Sequence, residues 1–229
     1  MLHGLTSRTP ILTYHDIIPK RDSKSLWFDC SVQELKDQLN WLSKHGAHFV
    51  TVREIYNHLT GNAPLPKKAI CITFADNYEG FWRYGYPILK AHSVPVAMFV
   101  HTGYVGDVKH GRPKMTWAQL KQLDKEGLVT IGSQTVSHPA DLTKLDDTAL
   151  AREMSQSKSD LESHLGHAIP LLAYPNGKFD VRCERAARKA GYIAAFCEIQ
   201  KPCELSASIF AINRYVHTKY RQAWFDAYK

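Results

Sequence analysis

No run in this chain approaches the ~18 consecutive apolar residues of a membrane-spanning helix, so no span is expected. No two cysteines stand at C-x-x-C spacing. The five present, Cys30, Cys71, Cys183, Cys197 and Cys203, form an odd set. That argues against a full disulfide framework and favours buried free thiols. No internal repeat, linker or low-complexity tract interrupts the sequence, so one domain over residues 1–229 is expected. The opening residues, Met1-Leu2-His3-Gly4-Leu5, lack the apolar core of a signal peptide, although a chain left after leader cleavage would look the same. There is no concentrated basic patch either. Lys plus Arg is 29 against 22 Asp plus Glu, a formal charge of +7. The densest group, Arg182, Arg185, Arg188 and Lys189, repeats at helical spacing and reads as a solvated helix face, so no nucleic-acid partner is expected. The net positive field favours anionic surfaces, cell-envelope polymers among them.

What is present is a globular balance, 44% apolar and 22% charged residues, in a chain long enough to bury a full core without staples. Short apolar runs alternate with amphipathic segments. Strands are expected near residues 11–15, 49–52, 69–74, 96–100, 128–131, 171–174, 192–196 and 210–216. Helices are expected over residues 32–45, from 53 onward, and over 81–91, 117–126, 149–165 and 181–189, several stopped by glycine. Repeated β–α alternation at this length predicts an α/β fold, a parallel barrel in preference to an open sheet.

Chemistry in such folds sits at the carboxyl ends of strands, and polar residues cluster there. Residues 72–80 read Ile-Thr-Phe-Ala-Asp-Asn-Tyr-Glu-Gly, residues 131–139 Ile-Gly-Ser-Gln-Thr-Val-Ser-His-Pro, and residues 173–177 Ala-Tyr-Pro-Asn-Gly. These stretches resemble the T-F-D-D-G-Y, I-G-x-H-T-x-S-H-P and A-Y-P-Y-G motifs of the polysaccharide deacetylases, the NodB-homology or carbohydrate esterase family 4 proteins. The resemblance is closest to the poly-N-acetylglucosamine deacetylase branch. It runs from Thr13-Tyr14-His15-Asp16 to Arg214, and it rests on the order and spacing of the motifs together. It implies a distorted parallel (β/α) barrel.

The resemblance also implies metal-assisted amide hydrolysis, in which a divalent metal, Zn²⁺ above all, is held by one Asp and two His. A second Asp takes a proton from water, a backbone N–H holds the oxyanion, and a late His protonates the leaving amine. Asp76, Gln134 and His138 occupy the metal positions, with Gln134 replacing a histidine. Ala75 stands where the base belongs and cannot accept a proton. Asn77 replaces the motif glycine and Asn176 the motif tyrosine, whose backbone N–H still suits an oxyanion. His217 is the candidate for the late His, on a loose alignment. His15, Tyr78, Tyr174 and Arg214 are implied around the substrate. Metal is expected to be weakly held or absent, because Zn²⁺ favours N and S donors.

Bland readings stand beside these. His15 is either a satisfied core histidine or part of the pocket floor. His45, His48, His58, His92, His101, His110, His164 and His167 read as surface or loop residues. Trp27, Tyr78, Trp82, Tyr104 and Trp117 are either core or sugar-stacking, with Tyr78 the best sugar contact. The expected function is a deacetylase of N-acetylhexosamine polymers with impaired activity. The alternative is a non-catalytic glycan-binding or scaffold module, and a third reading rewires the base to His15 or Asp16. The resemblance points to the cell envelope or secretion, and oligomeric state stays open.

Overall fold

The computed structural model describes residues 5–228. Residues 1–4, where the stretch without a signal-peptide core begins, and residue 229 lie outside the described residues. The strands are β1 (Ile11–Tyr14), β2 (Ile17–Ile18), β3 (Cys30–Ser31), β4 (His48–Val50), β5 (Ala69–Phe74), β6 (Val96–Val100), β7 (Val129–Ser133), β8 (Leu171–Ala173), β9 (Ala194–Phe196) and β10 (Tyr215–Val216). The α-helices are α1 (Val32–Lys44), α2 (Val52–Leu59), α3 (Tyr86–Ala91), α4 (Trp117–Glu126), α5 (Asp147–Leu165), α6 (Val181–Lys189) and α7 (Tyr220–Ala227). Their starts are written locally. Ser31 with Glu34, Thr51 with Glu54 and Thr116 with Gln119 form capping boxes, and Gly127 and Gly166 end α4 and α5 in the left-handed conformation.

The main sheet is parallel and ordered β10-β1-β5-β6-β7-β8-β9, with β4 also paired to β5. At the seam beside β9, Phe196 bridges to Ile212, just ahead of β10, and Ile212 N–H donates to Ala195 O and Cys197 N–H to Ile212 O, both at 2.8 Å. The expected distorted barrel is therefore present, closed loosely on one side. Alternate residues divide between two packed layers. Ile11, Cys71, Ala97, Phe99, Ala173, Ala194, Phe196 and Ile212 fill the barrel interior. Leu12, Tyr14, Ile72, Phe74, Met98 and Ile131 pack outward against helices, as do Leu172, Tyr174 and Ala195 beside α5 and α6. All five cysteines are buried free thiols.

Two expected elements differ. The segment 81–91 is a π-turn, Phe81–Gly85, followed by α3. Pro87 has no N–H to give to the Arg83 carbonyl, and Tyr86 N–H bonds Phe81 O instead, which widens the turn. In the segment 210–216 only Tyr215–Val216 is strand. Residues 210–213 run irregularly across the seam, with Ile212 bridged to Phe196. His58, read as a surface residue, is buried, with Nε2 3.0 Å from Ser7 Oγ and 3.2 Å from Glu204 Oε1.

Candidate active site

The inward alternation continues past the strand ends. Ile11 and Thr13 lead to His15, Cys71 and Thr73 to Ala75, Ala97 and Phe99 to His101, Gly132 to Gln134, and Ala194 and Phe196 to Glu198. These ends ring one mouth of the barrel. Arg214 lies at its centre and is fully buried. Its Nε donates to Cys197 O at 3.0 Å, and its Nη1 to Thr73 Oγ1 at 3.3 Å and Thr13 Oγ1 at 3.4 Å. Its Nη2 makes no hydrogen bond, and Glu198 Oε1 lies 3.8 Å from it. One rung above Thr73 stands the buried methyl of Ala75. The position one rung beyond the Thr73 that Arg214 bonds thus carries a methyl where the resemblance implies a carboxylate. Burial lowers the Arg214 pKa, with Glu198 and Asp76 opposing.

After Ala75 the chain turns sharply. Asp76 (φ 67°) and Asn77 (φ 38°) are left-handed, as are Thr135, His138 and Asn176. Non-glycine residues held in this region carry strain that gathers at functional loops. Asparagine tolerates it best, which explains how Asn77 replaces a glycine. Its Oδ1 also accepts from His101 N–H at 3.2 Å. Glu153 of α5 holds the second loop. Its Oε2 accepts from the N–H groups of Val136 and Ser137, and its Oε1 from the Ser137 hydroxyl. Asp76 Oδ1 and His138 Nε2 come within 3.3 Å.

A metal was implied at Asp76, Gln134 and His138. Asp76 Oδ1 is buried without a hydrogen bond beside His138, the geometry of two converging donors. The third position fails. Gln134 Oε1 accepts the Asp76 N–H at 2.8 Å, so the amide oxygen is engaged in holding the turn. Among the described residues no three His, Cys, Asp or Glu side chains form a set able to hold a metal ion. Catalytic zinc takes three protein ligands, so the donors here do not fit a resident zinc.

Other expected residues fall as follows. His15 reaches the mouth, its Nδ1 buried and unpartnered. Burial lowers its pKa against the pull of Asp76 and Glu198, while Arg214 and His138 add to the lowering. Tyr174, implied beside the substrate, lies away from the mouth. Both faces of β8 are buried, and its side chain points outward, stacking on Phe179 at 4.8 Å and donating from its hydroxyl to Phe210 O at 2.9 Å. Tyr78 is near the mouth, but Lys114 Nζ sits 3.4 Å from its ring centroid, so that ring face is closed to a sugar. Trp27 is 66% exposed, edge-on to Phe28 and His15. Asn176 is exposed in the turn after β8, its side-chain amide donating to Ala140 O at 3.2 Å. His217 is buried and stacked on Tyr14 at 4.8 Å, and burial, with His15 adding to it, pushes its pKa down to about 4. A ring so held is neutral at pH 7 and a poor proton donor. Asp16 turns away from the mouth, with Oδ2 2.9 Å from Arg112 Nη1.

Two site residues escaped sequence reading. His101 is buried, its Nε2 donating to Asp76 O at 3.1 Å and its ring 5.3 Å from that of His138. Burial above all, then Lys114, pushes its pKa down to about 3. Glu198 is the other. Both lie two residues beyond an inward strand position, a signal that could have found them.

The polysaccharide deacetylase profile matches residues 62–195. Among curated proteins, the YxkH protein of Bacillus subtilis is 27% identical over 186 residues, covering 81% of this chain and 63% of its own length. A Staphylococcus aureus poly-beta-1,6-N-acetyl-D-glucosamine N-deacetylase is 25% identical, over 82% of this chain and 67% of its own. The chain thus spans about two thirds of the length of these relatives. Among solved structures, the Streptococcus pyogenes deacetylase PplD, in complex with acetate, superposes with a TM-score of 0.86 at 23% identity, over 97% of this chain and 99% of that one. The profile spans more than half of the chain and includes the turn at Asp76 and the loop that ends in His138, so this chain belongs to the polysaccharide deacetylase family.

Proposed function

We propose that this protein recognises an N-acetylhexosamine polymer and removes its N-acetyl groups slowly or not at all. The family is generally metal-dependent, and the matched staphylococcal relative is a poly-beta-1,6-N-acetyl-D-glucosamine N-deacetylase. One observation carries the impairment. The strand-end position that should bear the base, one rung above the Thr73 that Arg214 bonds, is a buried methyl, Ala75. Loss of a positioned general base typically costs ~10²–10⁴ in rate, and the engaged Gln134 oxygen adds a second defect. The Asn176 backbone N–H serves as oxyanion donor in this reading. Trp27 offers an open ring beside the mouth for a sugar face. A non-catalytic glycan-binding role is the second reading, favoured by the pairing of both defects in one site. In this reading the protein works at the cell envelope or outside the cell.

The test measures acetate release and binding on chito-oligomers and β-1,6-linked N-acetylglucosamine oligomers. Binding with acetate release far below ~1 s⁻¹, the lower end of ordinary enzyme rates, is expected. The double change Ala75→Asp with Gln134→His should gain more than the two single changes combined, since groups acting as a unit are non-additive. Release at an ordinary enzyme rate by the unmodified chain would overturn the impairment. Failure to bind either oligomer would overturn the substrate class.

A further inference from the structure

We propose that Glu198 is the general base of this site, standing in for the carboxylate that Ala75 lacks. The proposal rests on the reading that the mouth takes an N-acetylhexosamine, and it names the group through which slow hydrolysis proceeds.

The placement follows from strand phasing. Ala194 and Phe196 face the barrel interior, and Glu198 is the next residue in that series. Arg214 joins the two positions. Its Nη1 reaches Thr73, one rung below Ala75, while its Nε donates to the carbonyl of Cys197, the neighbour of Glu198. The Glu198 carboxylate is 3.8 Å from the otherwise unbonded Nη2. A buried guanidinium without a carboxylate at position 75 therefore has one arriving from another strand end.

A second contact sets the backbone and Cβ of Glu198 against the turn that carries the oxyanion donor. Gly177 has φ +64°, and a Cβ there would lie 2.7 Å from Glu198 Cβ and 2.8 Å from Glu198 N. The turn that carries Asn176 thus packs directly on Glu198, and only glycine permits the approach. The side chain keeps 20% of its surface exposed, whereas that of Arg214 has none, so the carboxylate is the member of the pair that a ligand can meet. Asp16 offers no alternative. It is bound to Arg112, and one of its oxygens occupies the space a Gly80 side chain would need.

In the proposed step, a Glu198 oxygen takes a proton from water as the water oxygen bonds to the acetyl carbonyl carbon. The carbonyl electron pair moves onto oxygen, facing the Asn176 N–H. The C–N bond then breaks, and the proton passes from Glu198 to the leaving nitrogen. Acetic acid and a free amine result, which exchange a proton to leave acetate and an ammonium group, with one water consumed.

The experiment compares the unmodified chain with Glu198→Gln and with Ala75→Asp/Glu198→Gln, reading acetate release and oligomer affinity on the same chito-oligomer. Glu198→Gln should cut release by about 100-fold or more while affinity holds. The double variant should regain at least about tenfold over Glu198→Gln, because the carboxylate returns to the same guanidinium from the other side. A merely structural role would lower affinity and would not be rescued from a distant position in the chain. Unchanged release in Glu198→Gln overturns the proposal. So does an unmodified chain that binds the oligomer and releases no acetate, which leaves the glycan-binding reading standing. A chain that binds no oligomer overturns both.

Discussion

At position 134 an amide stands where imidazole is needed. Its oxygen caps the Asp76 turn, so recruiting it to a metal would release the hydrogen bond that holds Asp76 in place. Gln134→His should raise zinc affinity by about tenfold or more, measured by competition with a chromophoric chelator. Equal affinity in the two proteins, or zinc that survives dialysis against chelator in the unmodified chain, would show that the amide already ligates. His217 makes a different prediction. Burial keeps its ring neutral, with a pKa near 4 in the fold and near 6.5 unfolded. Its contribution to stability is complete above pH 6.5 and is lost as pH falls through about 4, because the unfolded chain binds the proton first. The amount at stake is about 3 kcal/mol. His217→Phe retains an aromatic ring for Tyr14 and should flatten this part of the pH dependence of urea unfolding. An unchanged profile would mean that the folded ring takes up its proton as readily as the unfolded one.

Among the elements, the link from β5 to α3 depends most on close approach. Gly80 precedes the π-turn, and a Cβ there would fall 2.1 Å from Asp16 Oδ1 and 2.3 Å from Ile17 O. Backbone cannot yield as a side-chain tip can. Gly80→Ala should therefore cost about 1–3 kcal/mol, seen as a lower urea midpoint, and should loosen the Asp16–Arg112–Asp29 cluster that ties the loop around residue 112 to β2 and β3. A midpoint unchanged from the parent would show that the turn has room to shift. The π-turn was hidden from sequence reading because apolar spacing over 81–91 fits an unbroken helix. The missing Pro87 N–H acts only once the turn is hydrogen-bonded.

For the whole molecule, the seam is the weak place. β9 meets the segment that leads into β10 through the Phe196–Ile212 bridge, and Arg214 spans the gap to β1, β5 and Cys197 from the inside. Arg214→Met keeps the length of the side chain but strands the Cys197 carbonyl. We expect a loss of about 2–3 kcal/mol, a fall in Tm of roughly 5–10 °C for a chain of this size. Hydrogen exchange should rise first at β9 and β10. A Tm held within about 2 °C would mean that the seam closes without the guanidinium.

The β–α order, the parallel barrel and the three motif segments were legible in the sequence, because apolar periodicity, capping boxes and glycine stops act over a few residues. The substitutions at Ala75 and Gln134 were legible for the same reason, since they sit inside local motifs. Which way each strand-end residue points was not. The strands of this sheet are covered on both faces, so β8 and β9 show no polar alternation to mark the interior. Tyr174 therefore looked like a pocket residue and packs outward, while His101 looked like a loop residue and faces in. Glu198 belongs to no motif. Its approach to Arg214 depends on how β9 meets the seam and on the missing side chain of Gly177, contacts between segments far apart in sequence that only the closed barrel brings together.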